Sequence, residues 1–226
     1  KMLDRLKLSK FKLHVTTTTS VRSTAATAVL RFSRICTQAV YRVVQMDLTS
    51  TWKGRTVRFF YDTEFIEDGE TIELISIGIV GDDGREYYAV STDFDPARAG
   101  EWVRNNVLNQ LPNPNSSEWK SLDTIRTDLE KFLHVPDGAE LWAWVGCYDH
   151  VVLAQLWGDM PALPRHIPRF TRELKQYWEF AGKPQLPDLE SGKHNALEDA
   201  RHNVRKFQAC MAALPIGAKG HVLPPN

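Results

Sequence analysis

Residues 57–91 carry the pattern that most constrains the fold, because three β-rich runs follow one another with turn residues between them. The first run, 57–65 (VRFFYDTEF), is largely aromatic, and the second, 71–81 (TIELISIGIVG), is almost continuously apolar, as a central strand is. Residues 82–84 (DDG) are a turn signal before the third run, 85–91. The pattern predicts a three-stranded antiparallel meander.

After the meander, helical patterns alternate with a fourth β-rich run. The run at 139–146 (AELWAWVG) has the length and composition of a strand, and a short fifth strand can follow it. The helical patterns cover residues 96–111, 121–134, 148–158, 171–182 and 194–214. We predict an α/β domain with a mixed sheet, in which the antiparallel three-strand meander is followed by alternating helices and strands.

Residues 1–56 differ in composition from the rest of the chain. They are rich in Ser and Thr and contain eleven basic but only two acidic residues, whereas the remainder contains 17 basic and 26 acidic residues. We interpret 1–56 as a disordered extension or as sequence outside the native domain; an organellar targeting segment is the alternative. The folded domain is predicted at 57–214, followed by a C-terminal tail at 215–226.

The composition also limits the class of protein. The chain is 42% hydrophobic and 25% charged, which is ordinary for a globular domain, and no apolar run approaches the ~20 residues that cross a bilayer. Its three cysteines include no CxxC pair, which argues against a disulfide framework and a thiolate zinc site. We expect a soluble, cytoplasmic protein without membrane association. The acidic excess of the part that follows residue 56 is unlike the charge of a non-specific nucleic-acid binder.

Asp62 and Glu64 interrupt the apolar character of the first strand. Because side chains alternate along a strand, both point to one face while Thr63 points to the other. Two buried carboxylates in one place need a positive partner, and such oxygen ligands suit Mg²⁺ or Mn²⁺ better than zinc. The alternative is the exposed face of an edge strand, which the flanking aromatic residues disfavour.

Asp149 lies just after the strand at 139–146, in the first turn of the next helix. Ligand sites in open α/β sheets gather at such strand ends. An Asp in a first helical turn also complements the helix dipole without any further role, and this is the alternative.

The segment KHNALEDAR provides two more candidates. Asn195, with Glu198 three residues later, is a variant capping box, so the last helix should begin near Asn195. His194 then lies on the loop before the helix and Asp199 lies near its start, so that both can face one cavity. For His194 alone, a surface loop histidine is the alternative.

These features have a common explanation in phosphodiester hydrolysis. Two metal ions ~3.5–4 Å apart can clamp the attacking and leaving oxygens of an in-line displacement, and this arrangement needs several carboxylates from different elements. A histidine, with an ordinary pKa of ~6.5, can take a proton from the attacking water. The set predicts a site for two Mg²⁺ ions, or Mn²⁺, with an imidazole beside them.

The ordered motifs resemble those of the histidine-bearing DEDD exonucleases, which have a ribonuclease H-like fold. D-x-E on the first strand, a central Asp after a later strand and H-x4-D at the last helix look like the three motifs of that family. The segments FYDTEFIEDGETIELISIGIV, REYYAVSTDFDP, ELWAWVGCYDH and PRFTREL look more closely like the bacterial polyadenylate-specific exoribonuclease AS group.

This resemblance implies a 3′-5′ exoribonuclease that acts on single-stranded 3′ ends or overhangs of RNA, prefers adenylate, uses Mg²⁺ and forms a homodimer. His194 matches the general base of the family. The metal-binding carboxylates of the family match Asp62, Glu64, Asp149 and Asp199. Phe65 and Ile66 stand where the commoner family pattern has Thr-Gly, so the nucleotide contacts of that backbone are not carried over.

Three residues are candidates for substrate contacts. Phe65 directly follows Glu64, and Tyr148 adjoins Asp149, so both rings are placed to stack on a base; core packing is the alternative for Phe65. Arg169 belongs to the basic segment PRHIPRFTREL, which could hold phosphates or form a solvated helix start. Preference for adenylate follows from the resemblance and not from these residues.

Two rival functions stay open on the sequence. A DNA-directed, proofreading-type exonuclease would use the same metal centre, and RNA is distinguished by contacts to the 2′-hydroxyl that no residue here identifies. A non-catalytic RNA-binding module would keep the fold but lose part of the motif set, whereas all five motif residues are present.

Overall fold

The computed structural model describes residues 56–189 and 191–217. The predicted N-terminal extension, apart from Thr56, and the C-terminal tail after Gly217 lie outside the described residues, so the predicted domain limits stay predictions. In the described part of the chain, no helix has both the length and the apolar character that crossing a membrane requires.

Six strands form one mixed sheet in the described residues. They are β1 (Val57–Glu67), β2 (Ile72–Gly81), β3 (Glu86–Ser91), β4 (Trp119–Lys120), β5 (Ala139–Ala143) and β6 (Thr171–Glu173). The order across the sheet is β4-β3-β2-β1-β5-β6. The predicted meander is confirmed, because β1 with β2 and β2 with β3 pair in antiparallel fashion. The pairs β1–β5, β5–β6 and β3–β4 are parallel.

Five α-helices accompany the sheet in the described residues. They are α1 (Glu101–Asn106), α2 (Leu122–Phe132), α3 (Cys147–Gln155), α4 (Leu174–Phe180) and α5 (Ala196–Ala213). Short 3-10 turns lie at Pro96–Arg98, Leu108–Gln110 and Met160–Ala162. Ser121 caps α2, because its hydroxyl accepts a hydrogen bond from the backbone N–H of Thr124 (3.3 Å).

The alternating side chains of β1 enter two cores on opposite faces of the sheet. Phe59 and Tyr61 pack with residues of α2 and α3, including Leu153. Phe60 packs on the other face with residues of α4 and α5, including Phe207. The strand therefore has apolar neighbours above and below, which explains its nearly continuous hydrophobic sequence.

The helical pattern at 96–111 is interrupted in the structure. The first two 3-10 turns flank α1, and Gly100 stands before α1 with an extended backbone (φ −64°, ψ 164°). An extended residue cannot continue a helix, so the prediction of one continuous helix is wrong.

The helical pattern at 171–182 begins as a strand. Its first three residues pair in parallel with β5, and α4 starts only after them. Pairing with a strand that is distant in sequence overrides the local helical pattern here. The predicted strand at 139–146 is also shorter than expected, because β5 ends at Ala143.

Candidate active site

A cleft of about 840 Å³ opens where β5 ends and β1 continues. Its walls include residues from β1, α1, the connection from β5 to α3, the loop before α5, and α5 itself. The whole predicted carboxylate–histidine set lines this cleft, namely Asp62, Glu64, Asp149, His194 and Asp199. The structure therefore brings these residues together from separate elements.

The end of β5 leaves room for the cleft. β1 pairs with β5 only as far as Phe60, whereas it stays paired with β2 as far as Glu67. From Asp62 onward, one edge of β1 has no neighbouring strand among the described residues, so a ligand can approach it. A β-bulge after Glu64 then breaks the regular register between β1 and β2.

The carboxylate of Asp149 is held by β1. Asp149 is buried in the first turn of α3, and its Oδ1 accepts hydrogen bonds from the backbone N–H (2.8 Å) and hydroxyl (2.7 Å) of Thr63. Thr63 points to the face opposite Asp62 and Glu64, and α3 packs on that face. Sequence reasoning did not assign Thr63 to the site, because its role depends on how α3 packs on β1.

Asn195 begins α5 as predicted. Its side chain accepts hydrogen bonds from the backbone N–H groups of Leu197 and Glu198, both at 3.2 Å. The capping box is only half formed, because the Glu198 carboxylate pairs with Arg201 instead of returning to the cap. The helix start is therefore confirmed, and it places Asp199 in the first turn.

His194 is held by two neighbours. Its backbone is left-handed (φ 68°), which is uncommon outside glycine, and its N–H donates to Oδ2 of Asp199 (2.7 Å). The Trp102 ring and the imidazole pack in a T-shaped arrangement, with ring centroids 4.7 Å apart. Trp102 lines the cleft from α1, a position that no local sequence signal predicts.

Gly78 allows α5 to approach the sheet at the site. It lies opposite Asp62 in the β1–β2 ladder, and a Cβ atom here would lie 2.3 Å from backbone atoms of Ala196 and Leu197. A side chain at this position would therefore displace the helix turn that carries Asp199. The sequence signal was a glycine inside an apolar strand, which often marks such a close approach.

Burial raises the pKa of three carboxyl groups in the cleft. Burial raises the pKa of Glu64 to about 8, and the carboxylates of Asp199 and Asp149 add to the rise. Burial likewise raises the pKa of Asp149 to about 6, against the hydrogen bonds from Thr63. The pKa of Asp62 lies well above its ordinary value, first through burial and then through the other three carboxylates. The cleft thus concentrates negative charge that its own cations do not fully balance.

This donor set fits a hard divalent cation. One ligand atom each from Glu64, His194 and Asp199 lie within 4.8 Å of one another. Carboxylate oxygens predominate, as Mg²⁺ and Mn²⁺ prefer, and a cation would offset the burial and the repulsion by neighbouring carboxylates that raise the pKa of Glu64. The cleft is therefore a candidate divalent-metal site.

Phe65 and Tyr148 stack on each other beside the carboxylates. Their ring centroids are 5.6 Å apart, the planes are inclined by 9°, and both residues line the cleft. Phe65 also packs against the core, whereas Tyr148 is exposed. The two predicted aromatic contacts therefore lie together, with the tyrosine ring accessible at the cleft.

The structure does not bring Arg169 to the cleft, so a substrate contact by this residue would lie outside the cleft and stays a prediction. Its Nη1 donates to the backbone carbonyl of Met160 (3.2 Å). Arg172, from the same basic segment, pairs with Glu140 at 3.3 Å. The physical reason is that the segment continues into β6, an edge strand of the sheet that is separated from β1 by β5.

Two further cleft residues were not identified from the sequence. Trp144 follows β5, and Lys206 lies on α5 with its Nζ 4.6 Å from the centroid of the Trp144 ring. Both are half-buried, and they meet only because α5 packs beside the end of β5.

Residues 57–211 match the family described as the 3′-5′ exoribonuclease Rv2179c-like domain. The chain belongs to this family. Two curated relatives come from Mycobacterium tuberculosis, namely the 3′-5′ exoribonuclease Rv2179c of strain H37Rv and the 3′-5′ exoribonuclease MT2234.1 of strain CDC 1551. Each is 62% identical over 154 residues, which cover 67% of this chain and 92% of the relative. The predicted relationship to 3′-5′ exoribonucleases is confirmed.

Solved structures of E. coli exonuclease I share the fold. The zinc-bound complex with single-stranded DNA gives a TM-score of 0.53 at 12% identity over 71% of this chain. The complex with a dA16 oligonucleotide gives a TM-score of 0.53 at 11% identity, again over 71% of this chain. The match spans only 41% of the first of these exonuclease I chains. At this identity the likeness concerns the fold, and it confirms the predicted ribonuclease H-like architecture.

Proposed function

We propose that this protein is a 3′-5′ exoribonuclease, a hydrolase that removes nucleotides from single-stranded 3′ ends of RNA with the help of divalent cations. One observation carries the proposal: four carboxylates and a histidine from separate elements line a single cleft. The family supports it, since a named 3′-5′ exoribonuclease is 62% identical over 154 residues.

The four carboxylates would hold the cations. When bound, two Mg²⁺ or Mn²⁺ ions would stabilise the negative charge that develops on the phosphate and make the attacking water more acidic. The chain contributes ligands in fixed positions, because Asp62 and Glu64 project from a paired strand and Thr63 holds Asp149. The ligands would be Asp62, Glu64, Asp149 and Asp199.

His194 would accept the proton of the attacking water. Burial lowers the pKa of its imidazole, although the Asp199 carboxylate opposes this shift, so the ring is neutral near pH ~7 and able to accept a proton. The hydrogen bond to Asp199 and the edge of Trp102 hold the residue in place. A base that is already positioned loses less entropy on reaching the reactive geometry.

The stacked pair of Phe65 and Tyr148 would bind a nucleobase at the 3′ end. Stacking on an aromatic ring contributes about 1–3 kcal/mol per base and tolerates every base. The pair therefore accounts for binding of an RNA end but not for a preference among bases. Preference for adenylate and homodimer formation enter the proposal from the sequence resemblance, and a cytoplasmic location enters it from the composition and the cysteine content.

A digestion time course tests the proposed activity. RNAs labelled at the 5′ end, with A, C, G or U tails, are incubated with Mg²⁺, Mn²⁺ or EDTA beside matched DNAs. We expect a ladder that shortens from the 3′ end, requires a cation and proceeds fastest on the A-tailed RNA. Faster digestion of DNA would support the proofreading-type alternative, and binding without cleavage would support the non-catalytic RNA-binding module.

The variant His194→Ala tests the role of the imidazole. We expect turnover to fall by about 10²–10⁴-fold, because a positioned general base contributes about that much. His134→Ala is the matched control, since His134 is exposed and does not line this cleft. Unchanged turnover in His194→Ala would remove the histidine from the mechanism.

A further inference from the structure

We propose that Lys206 binds the phosphate group that is hydrolysed, with its ammonium donating to a non-bridging phosphate oxygen. The inference rests on the proposed function and adds to it a residue outside the carboxylate–histidine motifs. It starts from the presence of a half-buried cation inside a cleft in which acidic residues outnumber lysines.

Lys206 lies on the face of α5 that carries Asp199. Residues three, four and seven positions apart share one face of a helix, so Asp199, Asn203 and Lys206 form a polar stripe along α5. Lys206 and the carboxylates of Asp199 and Asp62 interact electrostatically, and all three residues line the cleft. The ammonium therefore lies beside the place where a phosphate would meet the bound cations.

The ammonium is held in position by two groups. Nζ donates to Oδ1 of Asn203 (3.0 Å), and Nδ2 of Asn203 donates to the backbone carbonyl of Tyr61 (3.2 Å), the residue before Asp62. Asn203 is only 1% exposed, so this support is fixed. On its other side, the ammonium lies 4.6 Å from the centroid of the Trp144 ring, within the range of a cation–π interaction.

Lys206 keeps donor capacity for a ligand. An ammonium has three N–H donors, and within the described residues Lys206 uses one of them, for Asn203. A lysine that is already ordered loses less side-chain entropy on binding than a mobile surface lysine does.

Charge complementarity favours a phosphate as the ligand. The four motif carboxylates and two divalent cations would cancel in charge, and a phosphodiester held by those cations would bring a negative charge that attracts the nearby ammonium of Lys206. Glu67 and Asp188 also line the cleft. The cleft lining contains two lysines, Lys193 and Lys206. Lys206 is the one on the helix that carries Asp199, whereas Lys193 lies in the loop before His194.

Lys206→Met should have opposite effects on metal and substrate. It removes a cation beside Asp62 and Asp199, so Mn²⁺ should bind about threefold more tightly in a calorimetric titration. It also removes a phosphate contact, so kcat/KM on RNA should fall by about 10- to 100-fold. A variant that merely disturbed the fold would weaken both, and weaker Mn²⁺ binding would overturn the inference.

Two further variants show whether the charge and its position matter. Lys206→Arg keeps the charge and should keep kcat/KM within about fivefold of the original; a loss equal to that of Lys206→Met would contradict a role based on charge. Arg205→Met removes the same charge from the adjacent, exposed position outside the cleft, and should leave Mn²⁺ binding and kcat/KM within about twofold.

A substrate with a single phosphate tests which phosphate is bound. On the p-nitrophenyl ester of uridine 5′-monophosphate, Lys206→Met should lose as large a factor in kcat/KM as on RNA. On RNA, the slope of log KM against log salt concentration should decrease by about 0.7, the contribution of one phosphate contact. A loss on RNA without a loss on the small diester would overturn the assignment to the hydrolysed phosphate.

If the proposed function itself is wrong, the results will differ from those expected when only the role of Lys206 is wrong. The unmodified protein would then neither bind Mn²⁺ in the calorimeter nor shorten RNA. If it does both while Lys206→Met behaves identically, only the inference about Lys206 is overturned.

Discussion

Both halves of strand β1 lie beside β2, but only the first half also pairs with β5. Residues 57–60 pair with β5, whereas residues 61–67 have β2 as their strand neighbour in the described part of the chain. In the first half, Phe59 and Phe60 are at most 1% exposed. In the second half, Asp62 and Glu64 line the cleft. The first half is therefore core, whereas the second half carries the carboxylates of the candidate site between core residues such as Tyr61 and Ile66.

This difference shows that the length of β5 decides where the site lies. Aromatic residues occur in both halves of β1, so the composition of β1 alone does not separate them. If β5 continued further, it would cover the edge of β1 beside Asp62, and the N–H of Thr63 would face a strand instead of Asp149. A strand that ends early thus frees backbone and side-chain groups of its neighbour for function.

Asp62→Asn, in the second half of β1, is the variant with the largest expected effect. We expect turnover to fall by at least about 10³-fold, the equivalent of about 4 kcal/mol, because a neutral amide is a much weaker ligand for a divalent cation. The melting temperature in EDTA should stay the same or rise, since one of the mutually repelling carboxylates is gone. Digestion rates and thermal melts measure the two quantities.

Phe60→Ala is the control from the other half of β1. It should lower the free energy of unfolding by about 3–5 kcal/mol, because it leaves a cavity beside Phe207, while the folded fraction keeps the proposed metal site. If Asp62→Asn destabilises the protein as much as Phe60→Ala does, the division of β1 into a core half and a site half is wrong.

A second prediction concerns the helix that closes the site over β1. Gly78→Ala should lower kcat/KM by about 10- to 100-fold and the free energy of unfolding by about 1–3 kcal/mol, because the added methyl group pushes away the first turn of α5. Gly100→Ala is the matched control, since nothing lies within 4 Å of a Cβ there. Equal activity of both variants would show that the approach of α5 at Gly78 does not position the site.

The dependence of stability on pH tests whether the buried carboxyl groups of the cleft destabilise the folded protein when no cation is bound. The folded-state pKa values of Glu64 and Asp149, about 8 and about 6, lie above their ordinary values of 4.5 and 3.8. Between these limits the folded state holds protons that the unfolded state has released, so stability should fall as pH rises from about 4 to about 8. Thermal melts in EDTA should show a decrease of several degrees.

Saturating Mg²⁺ should remove most of that decrease, because a cation bound only by the folded state stabilises it and favours the ionised carboxylates. Glu64→Gln should flatten the pH dependence in EDTA without any cation. A melting temperature in EDTA that is constant across this pH range would show that folding does not raise the pKa of these carboxyl groups.

The smallest expected effect concerns the support of Asp149. Thr63→Val removes the hydroxyl donor but keeps the backbone N–H donor, so turnover should fall by only about fivefold. Thr63→Ser keeps a hydroxyl and should restore most of the rate. If Thr63→Val keeps the full rate while Thr63→Ser is slow, packing of the threonine methyl group, and not its hydrogen bond, positions Asp149.

Much of the fold could be predicted because local patterns specify it. The meander follows from apolar runs and a turn signal, and the start of α5 follows from the capping residue Asn195. The predictions failed where a distant partner decides the structure, as at β6, which joins β5 despite a helical pattern. They also failed at Gly100, whose extended backbone interrupts a helical pattern.

The sequence by itself determined the carboxylates and the histidine of the site, because each lies at a recognisable place on its own element and their order along the chain is specific. Only the tertiary structure decided what surrounds them: Thr63 on Asp149, α5 against Gly78, Trp102 on His194, and Lys206 beside Trp144. These contacts depend on the register and packing of elements far apart in the chain. The residues next to a side chain in the sequence therefore do not specify this packing.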